Sequence, residues 1–116
     1  MKVLAADIIP ERLEETTKLA KEINPNVQVI TKTTDVTDAA AVKDMVDTAV
    51  KEFGRIDYSV HCAGIAGTAA RTDEMPTEEY DRVTGVNLRG LFLCEKAVLG
   101  QMKLQEPRKL ACVTQI

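Results

Sequence analysis

Three short stretches combine carboxylates, hydroxyls and very small side chains at the ends of apolar runs. Asp7 closes the run over residues 3–6. A carboxylate at the tip of a strand accepts hydrogen bonds from both hydroxyls of a ribose and repels a phosphate carried on either one. Thr34-Asp35-Val36-Thr37-Asp38 follows the stretch 27–32, and His61-Cys62-Ala63-Gly64 follows 56–60. Ala63 and Gly64 suit a close ligand, because a larger side chain would hold it off the backbone. Each stretch also has a simpler reading. Asp, Thr and Gly build plain strand-to-helix turns, and each motif taken singly is read that way first. His61 is read as a packed strand-end histidine in preference to an acid/base group.

The hydrophobic pattern supplies the elements that would place these residues. Residues 3–6 form a strand, and Pro10 opens a helix with Leu13, Ala20 and Ile23 at helical spacing. Asn24-Pro25-Asn26 breaks it, and Val27, Val29, Ile30 and Thr31 predict a second strand over 27–32. Asp38 can cap a helix on which Val42, Met45, Val46, Ala49, Val50 and Phe53 share a face, with Gly54 placed to end it. A third strand is predicted over 56–61, then a loop of small residues over 62–70. Thr77 starts a helical stretch reaching Gln105. Gly85 and Gly90 weaken its middle, so two helices or one kinked helix are expected, and Pro107 ends it. Residues 110–113 read as a last strand. Strands separated by helices, without repeats, predict an α/β fold with a parallel sheet. Ligands bind such sheets at the carboxyl ends of the strands, the edge on which all three stretches fall.

Composition removes several function classes. The 116 residues carry 15 Lys plus Arg against 18 Asp plus Glu, a formal charge of −3, with 45% hydrophobic and 28% charged residues. That is the balance of one small globular domain. No basic stripe and only 3% aromatic residues leave no platform for nucleic acid, which is not an expected partner. Cys62, Cys94 and Cys112 are odd in number and widely spaced, and there is a single histidine. Neither a disulfide framework nor a metal site is expected, and a reducing cytoplasm is the expected location. No apolar run approaches the roughly 20 residues of a membrane span, so no membrane partner is expected.

Asp35-Val36-Thr37-Asp38, then Phe53-Gly54-Arg55-Ile56-Asp57-Tyr58-Ser59-Val60-His61-Cys62-Ala63-Gly64, then Val86-Asn87-Leu88-Arg89-Gly90 stand in register. Their order and spacing resemble those of the short-chain dehydrogenases/reductases, over nearly the whole chain, from that family's second strand to its fifth. The resemblance implies a partial Rossmann-like doubly wound parallel sheet, three-layer α/β/α, with residues 1–116 as one partial NAD(P)-binding domain. It implies an oxidoreductase lineage that interconverts a small-molecule alcohol and a ketone or other carbonyl by hydride transfer with NAD. Carried over residue by residue, Asp7 is similar to the acid that selects NAD over NADP, and Asp35 with Val36 to the pair contacting adenine. Ala63 and Gly64 resemble the backbone that lines the cofactor. Asn87 resembles the family's catalytic asparagine, which holds a water in a proton relay. His61-Cys62 stands where the family usually has Asn-Asn, a change that a backbone role survives. The helices over 77–105 resemble the family's oligomer-forming pair and imply a homo-oligomer.

Two family signatures fall outside these residues. The glycines are Gly54, Gly64, Gly67, Gly85, Gly90 and Gly100, so no glycine-rich phosphate turn is present, and the resemblance places that turn upstream. The catalytic serine and the Tyr-x-x-x-Lys pair are also lacking: Tyr58 is followed four positions on by Cys62, and Tyr80 by Thr84. The resemblance therefore implies negligible turnover by this chain alone, with a non-catalytic module that associates with full-length relatives as the alternative. In the order 3-2-1-4-5-6 the lacking first strand is the central one. The strands ending at Asp7 and His61 then have no partner between them, and they are expected to close into a non-family pairing, to take the missing piece from another chain, or to leave a chain that does not fold well. Each buried unpaired edge group costs about 1–3 kcal/mol.

Overall fold

In the computed structural model, which describes residues 1–107 and 112–115, β-branched and apolar runs form two parallel strands joined by a helix: β1 (Lys2–Asp7), α1 (Pro10–Ile23) and β2 (Gln28–Thr33). Asp7 lies opposite Thr33 in their register. Pro10 fits the first helical position, where an N–H would have no partner, and Leu13 is the residue α1 buries.

Helix α2 (Ala39–Phe53) starts and stops as its sequence dictates. Asp38 Oδ1 accepts the Ala40 N–H at 2.8 Å, and Gly54 closes the last turn at φ 84°, a left-handed conformation that costs glycine nothing. Val42, Val46 and Ala49 are buried along one face.

Strand β3 (Tyr58–His61) begins two residues later than the pattern predicts. The Ile56 N–H and C=O are both taken by the Gln105 carboxamide, each at 2.8 Å, so a side chain occupies the place of a neighbouring strand. Strand β4 (Cys112–Gln115) pairs in parallel with β3. Residues 110 and 111 of the expected last strand lie outside the described residues.

The long helical stretch resolves into α3 (Thr77–Thr84), a π-helical segment Gly85–Gly90, and α4 (Leu91–Met102). The expected weakness at the two glycines becomes a wider turn instead of a break. Helix α2 packs on α4, and their buried Val42, Val46, Ala49, Cys94 and Val98 make up most of the core.

The strands form two separate pairs, β1 with β2 and β3 with β4. Helix α1 covers β1 and β2, α2 touches β1, α4 touches β3, and the α2–α4 contact joins the two halves. The inner strands have not closed on each other. Tyr58 and Val60 accordingly remain 63% and 57% exposed although they lie in a strand. The fold is α/β, the partial Rossmann-like form with the central strand position open. Among the described residues no helix is long and apolar enough to cross a membrane.

Candidate functional site

Register brings the first two stretches together. The Asp7 carbonyl accepts the Thr34 N–H at 2.9 Å, joining the tip of β1 to the turn after β2. Asp7 Oδ1 accepts the Ile9 N–H at 2.9 Å, and Oδ2 has no partner among the described residues. Asp35 Oδ1 accepts from the Thr37 N–H at 2.8 Å and from the Thr37 hydroxyl at 2.7 Å. Those two bonds hold the Asp35 carboxyl below the usual carboxylate value. Both acids thus do the work of turn residues, as the simpler reading expects. Each does so with one oxygen and leaves the other on an accessible edge.

The π-helical segment connects these turns to the third stretch. A Cβ on Gly90 would lie 2.7 Å from Val36 Cγ2, so Val36 seats on bare backbone there. Next to it, Arg89 Nη1 donates to the Thr37 carbonyl at 2.8 Å. One turn earlier, Asn87 Oδ1 accepts the Ile65 N–H at 2.9 Å, and Asn87 Nδ2 donates to the Ile65 carbonyl at 3.0 Å. Gly64 lies under the same carboxamide. Asp7, Asp35, Val36, Gly64 and Asn87 therefore belong to one continuous set of contacts, with Ala63 beside Gly64 in the exposed turn after β3. Asn87 spends one Oδ1 lone pair and one Nδ2 hydrogen on Ile65, so a water held at this residue would meet its backbone carbonyl, the second lone pair of Oδ1 or the second Nδ2 hydrogen.

His61 is half-buried, with Nε2 3.1 Å from Ser59 Oγ. Burial pushes its pKa below the ordinary 6.5, and the Glu95 charge partly opposes that. This is the packed histidine expected. Cys62 is an exposed free thiol. Cys94 is a buried one whose pKa is raised by burial.

Sequence reasoning passed over Glu79, Arg82, Arg89 and Gln105. The Glu79–Arg82 spacing was a readable sign of a helical ion pair. Nothing in the sequence tied Glu79 to Thr68, whose N–H and hydroxyl donate to Glu79 Oε1 at 2.6 and 3.0 Å.

Chemically, these strand ends offer a carboxylate oxygen without a partner among the described residues, a second carboxylate, and a loop without bulk. These suit the sugar and base of an adenosine. A glycine-rich pyrophosphate cradle is not among them: α1 is entered through Ile8-Ile9-Pro10, and the Ile9 N–H is bound to Asp7.

Comparison with known proteins matches residues 1–114 to the family profile described as Enoyl-(Acyl carrier protein) reductase. Levodione reductase of Leifsonia aquatica is 36% identical over 104 residues, which are 90% of this chain and 39% of that protein. The solved structure of a levodione reductase superposes with a TM-score of 0.92 at 34% identity, covering 98% of this chain and 43% of the other. An NAD+-bound xylitol dehydrogenase gives 0.85 at 33% identity over 90% of this chain and 39% of the other. An alcohol dehydrogenase from Thermococcus sibiricus with 5-hydroxy-NADP gives 0.77 at 28%, over 87% and 42%. The chain thus spans about two-fifths of the length of the relatives it matches.

Proposed function

Because the chain belongs to the short-chain dehydrogenase/reductase family, we propose that it carries the adenosine-holding part of an NAD-dependent oxidoreductase acting on a small alcohol or carbonyl compound. The observation behind this reading is the chain of contacts that links Asp7, Asp35, Val36 and Gly64 beyond the carboxyl ends of β1, β2 and β3, with Asp7 Oδ2 lacking a partner among the described residues. Asp7 would accept the two ribose hydroxyls and disfavour a 2′-phosphate, which selects NAD over NADP. Asp35 and Val36 would flank the adenine, and the Ala63–Gly64 backbone would let the nucleotide approach closely. When bound, the dinucleotide supplies the hydride chemistry that no side chain provides. Asn87 would fix the Ile65 backbone and present a water to a proton relay. The protonating tyrosine, its lysine and the serine have no counterpart in these 116 residues.

Residues 1–116 would then be one partial binding domain in a reducing cytoplasm. Calorimetric titration with NAD and adenosine tests the binding. Weak, adenosine-directed heat is expected, and no heat with either ligand would overturn it. A hydride-transfer assay with NAD and a panel of secondary alcohols and ketones is expected to give no turnover, and clear activity would contradict that expectation.

A second reading concerns assembly. Leu88 and Phe92 stand four residues apart on the helical rod and are 66% and 56% exposed. That apolar strip, rimmed by Asp81 and Arg89, would fit a second copy of the chain. Elution as a monomer at all concentrations in size-exclusion chromatography would remove this reading.

A further inference from the structure

Four successive residues of the loop after β3 are fastened, one after another, to the helical rod beside it. Ile65 meets Asn87 through two hydrogen bonds. The Ala66 carbonyl accepts from Arg82 Nη2 at 3.4 Å. A Cβ on Gly67 would lie 3.1 Å from Val83 Cγ2, so the chain there rests directly on α3. The Thr68 N–H and hydroxyl both end on Glu79. From Gly64 to Ala70 no backbone-to-backbone hydrogen bond is made among the described residues. The order of this segment comes from helix side chains.

Like Asn87, Glu79 makes two of these loop bonds. Its Oε1 accepts from Thr68 N–H, from the Thr68 hydroxyl and, at 2.9 Å, from Arg82 Nη2, while Oε2 accepts from Arg82 Nε at 2.8 Å. The carboxylate side chain is only 15% exposed. These bonds, Arg82 foremost, depress its carboxyl to about 2, so it stays charged at any ordinary pH. An exposed ion pair by itself contributes little. Here the arginine instead holds the carboxylate pointed at the loop.

We infer that Glu79 is a positioning residue: through Thr68 it fixes the segment Gly64–Thr68 against α3 and so sets the turn of Ala63 and Gly64 that would face the nucleotide. The ligand half of this inference rests on the adenosine reading above; the fastening of the loop does not. A segment without its own backbone bonds must otherwise be ordered when the ligand arrives, which lowers affinity.

The test is amide hydrogen exchange by NMR, with an NAD titration, on the chain and on Glu79→Ala, Glu79→Gln, Thr68→Val and the charge swap Glu79→Arg with Arg82→Glu. Glu79→Ala is expected to speed exchange at Thr68 about tenfold or more. It is expected to weaken NAD about fivefold, with a lower melting temperature at neutral pH because the stabilising carboxylate is gone. Glu79→Gln keeps an acceptor oxygen and should recover most of both effects. The swap restores an ion pair but offers Thr68 no acceptor at position 79, so it should behave like Glu79→Ala. Unchanged exchange at Thr68 in Glu79→Ala, or full recovery in the swap, would overturn the inference. If Glu79→Ala does not fold, Thr68→Val, which removes only the hydroxyl bond, must still speed exchange across Gly67 and Thr68. Absence of any NAD response in the unmodified chain would sink the adenosine reading alone, while the exchange rates still decide the role of Glu79.

Discussion

Val36 occupies the space that any side chain at position 90 would need: a Cβ on Gly90 would lie 2.7 Å from Val36 Cγ2 and 3.4 Å from the Val36 carbonyl oxygen. This contact joins the turn after β2 to the helical rod, and with it the two halves of the candidate site. Valine is stiff at χ1 and the neighbouring atom is backbone, so neither side yields cheaply. Gly90→Ala is therefore expected to destabilise by about 1–3 kcal/mol in urea unfolding. Val36→Ala in the same chain should recover part of that loss, a coupling of about 0.5–3 kcal/mol.

Asn87 is expected to reveal its structural role before any catalytic one. Asn87→Leu removes two hydrogen bonds to Ile65, at about 1 kcal/mol each, and should lower stability by about 2 kcal/mol with faster exchange at the Ile65 amide. Asn87→Asp keeps the acceptor but sets a carboxylate oxygen against the Ile65 carbonyl. Its deficit relative to the unmodified chain should be largest at neutral pH and shrink as the carboxyl protonates, read from the difference in melting temperature against pH.

Acid should loosen the protein in two windows. Glu79 is depressed from 4.5 to about 2, so its contribution is whole above the unfolded value and is lost as pH falls from there toward 2. Asp35, also lowered, acts in the same direction below 3.8. His61 is lowered from 6.5, so the unfolded chain takes its proton first and stability declines as pH drops below 6.5 toward the folded value. Melting temperatures followed by circular dichroism should fall through both windows. Glu79→Gln should make the lower one shallower, leaving the part due to Asp35, and leave the upper one unchanged.

How far the sequence reaches differs from element to element. Helix α2 was legible to both ends, because Asp38, the apolar stripe and Gly54 are local signals that agree. Gly85 and Gly90 marked a weak place, but the π-helical turn between them was not readable. One feature of that turn is a contact with Val36, more than fifty residues away in sequence. Strand β3 was read two residues too long because Ile56 is apolar. Its peptide is claimed by Gln105, a partner that periodicity does not reveal. Asp7 and Asp35 were found by type and position, and their roles as turn acceptors were foreseen. The fastening of the loop by Glu79 was missed, since the loop carries no pattern of its own and its order is borrowed from α3.

Asp7 carries the prediction on cofactor choice. Asp7→Ala should lose about 1.5–3 kcal/mol of NAD affinity, the usual worth of a hydrogen bond to a charged group. It should also narrow the preference for NAD over NADP, measured by parallel titrations with both dinucleotides.

The most direct measurement is a proton–nitrogen correlation spectrum of the chain titrated with NAD and, separately, with NADP. The account predicts that NAD shifts the amides of Asp7, Asp35, Val36, Ala63 and Gly64 together and along one saturation curve, with NADP weaker at every one. Shifts confined to other surfaces, or equal responses to the two dinucleotides, would contradict it.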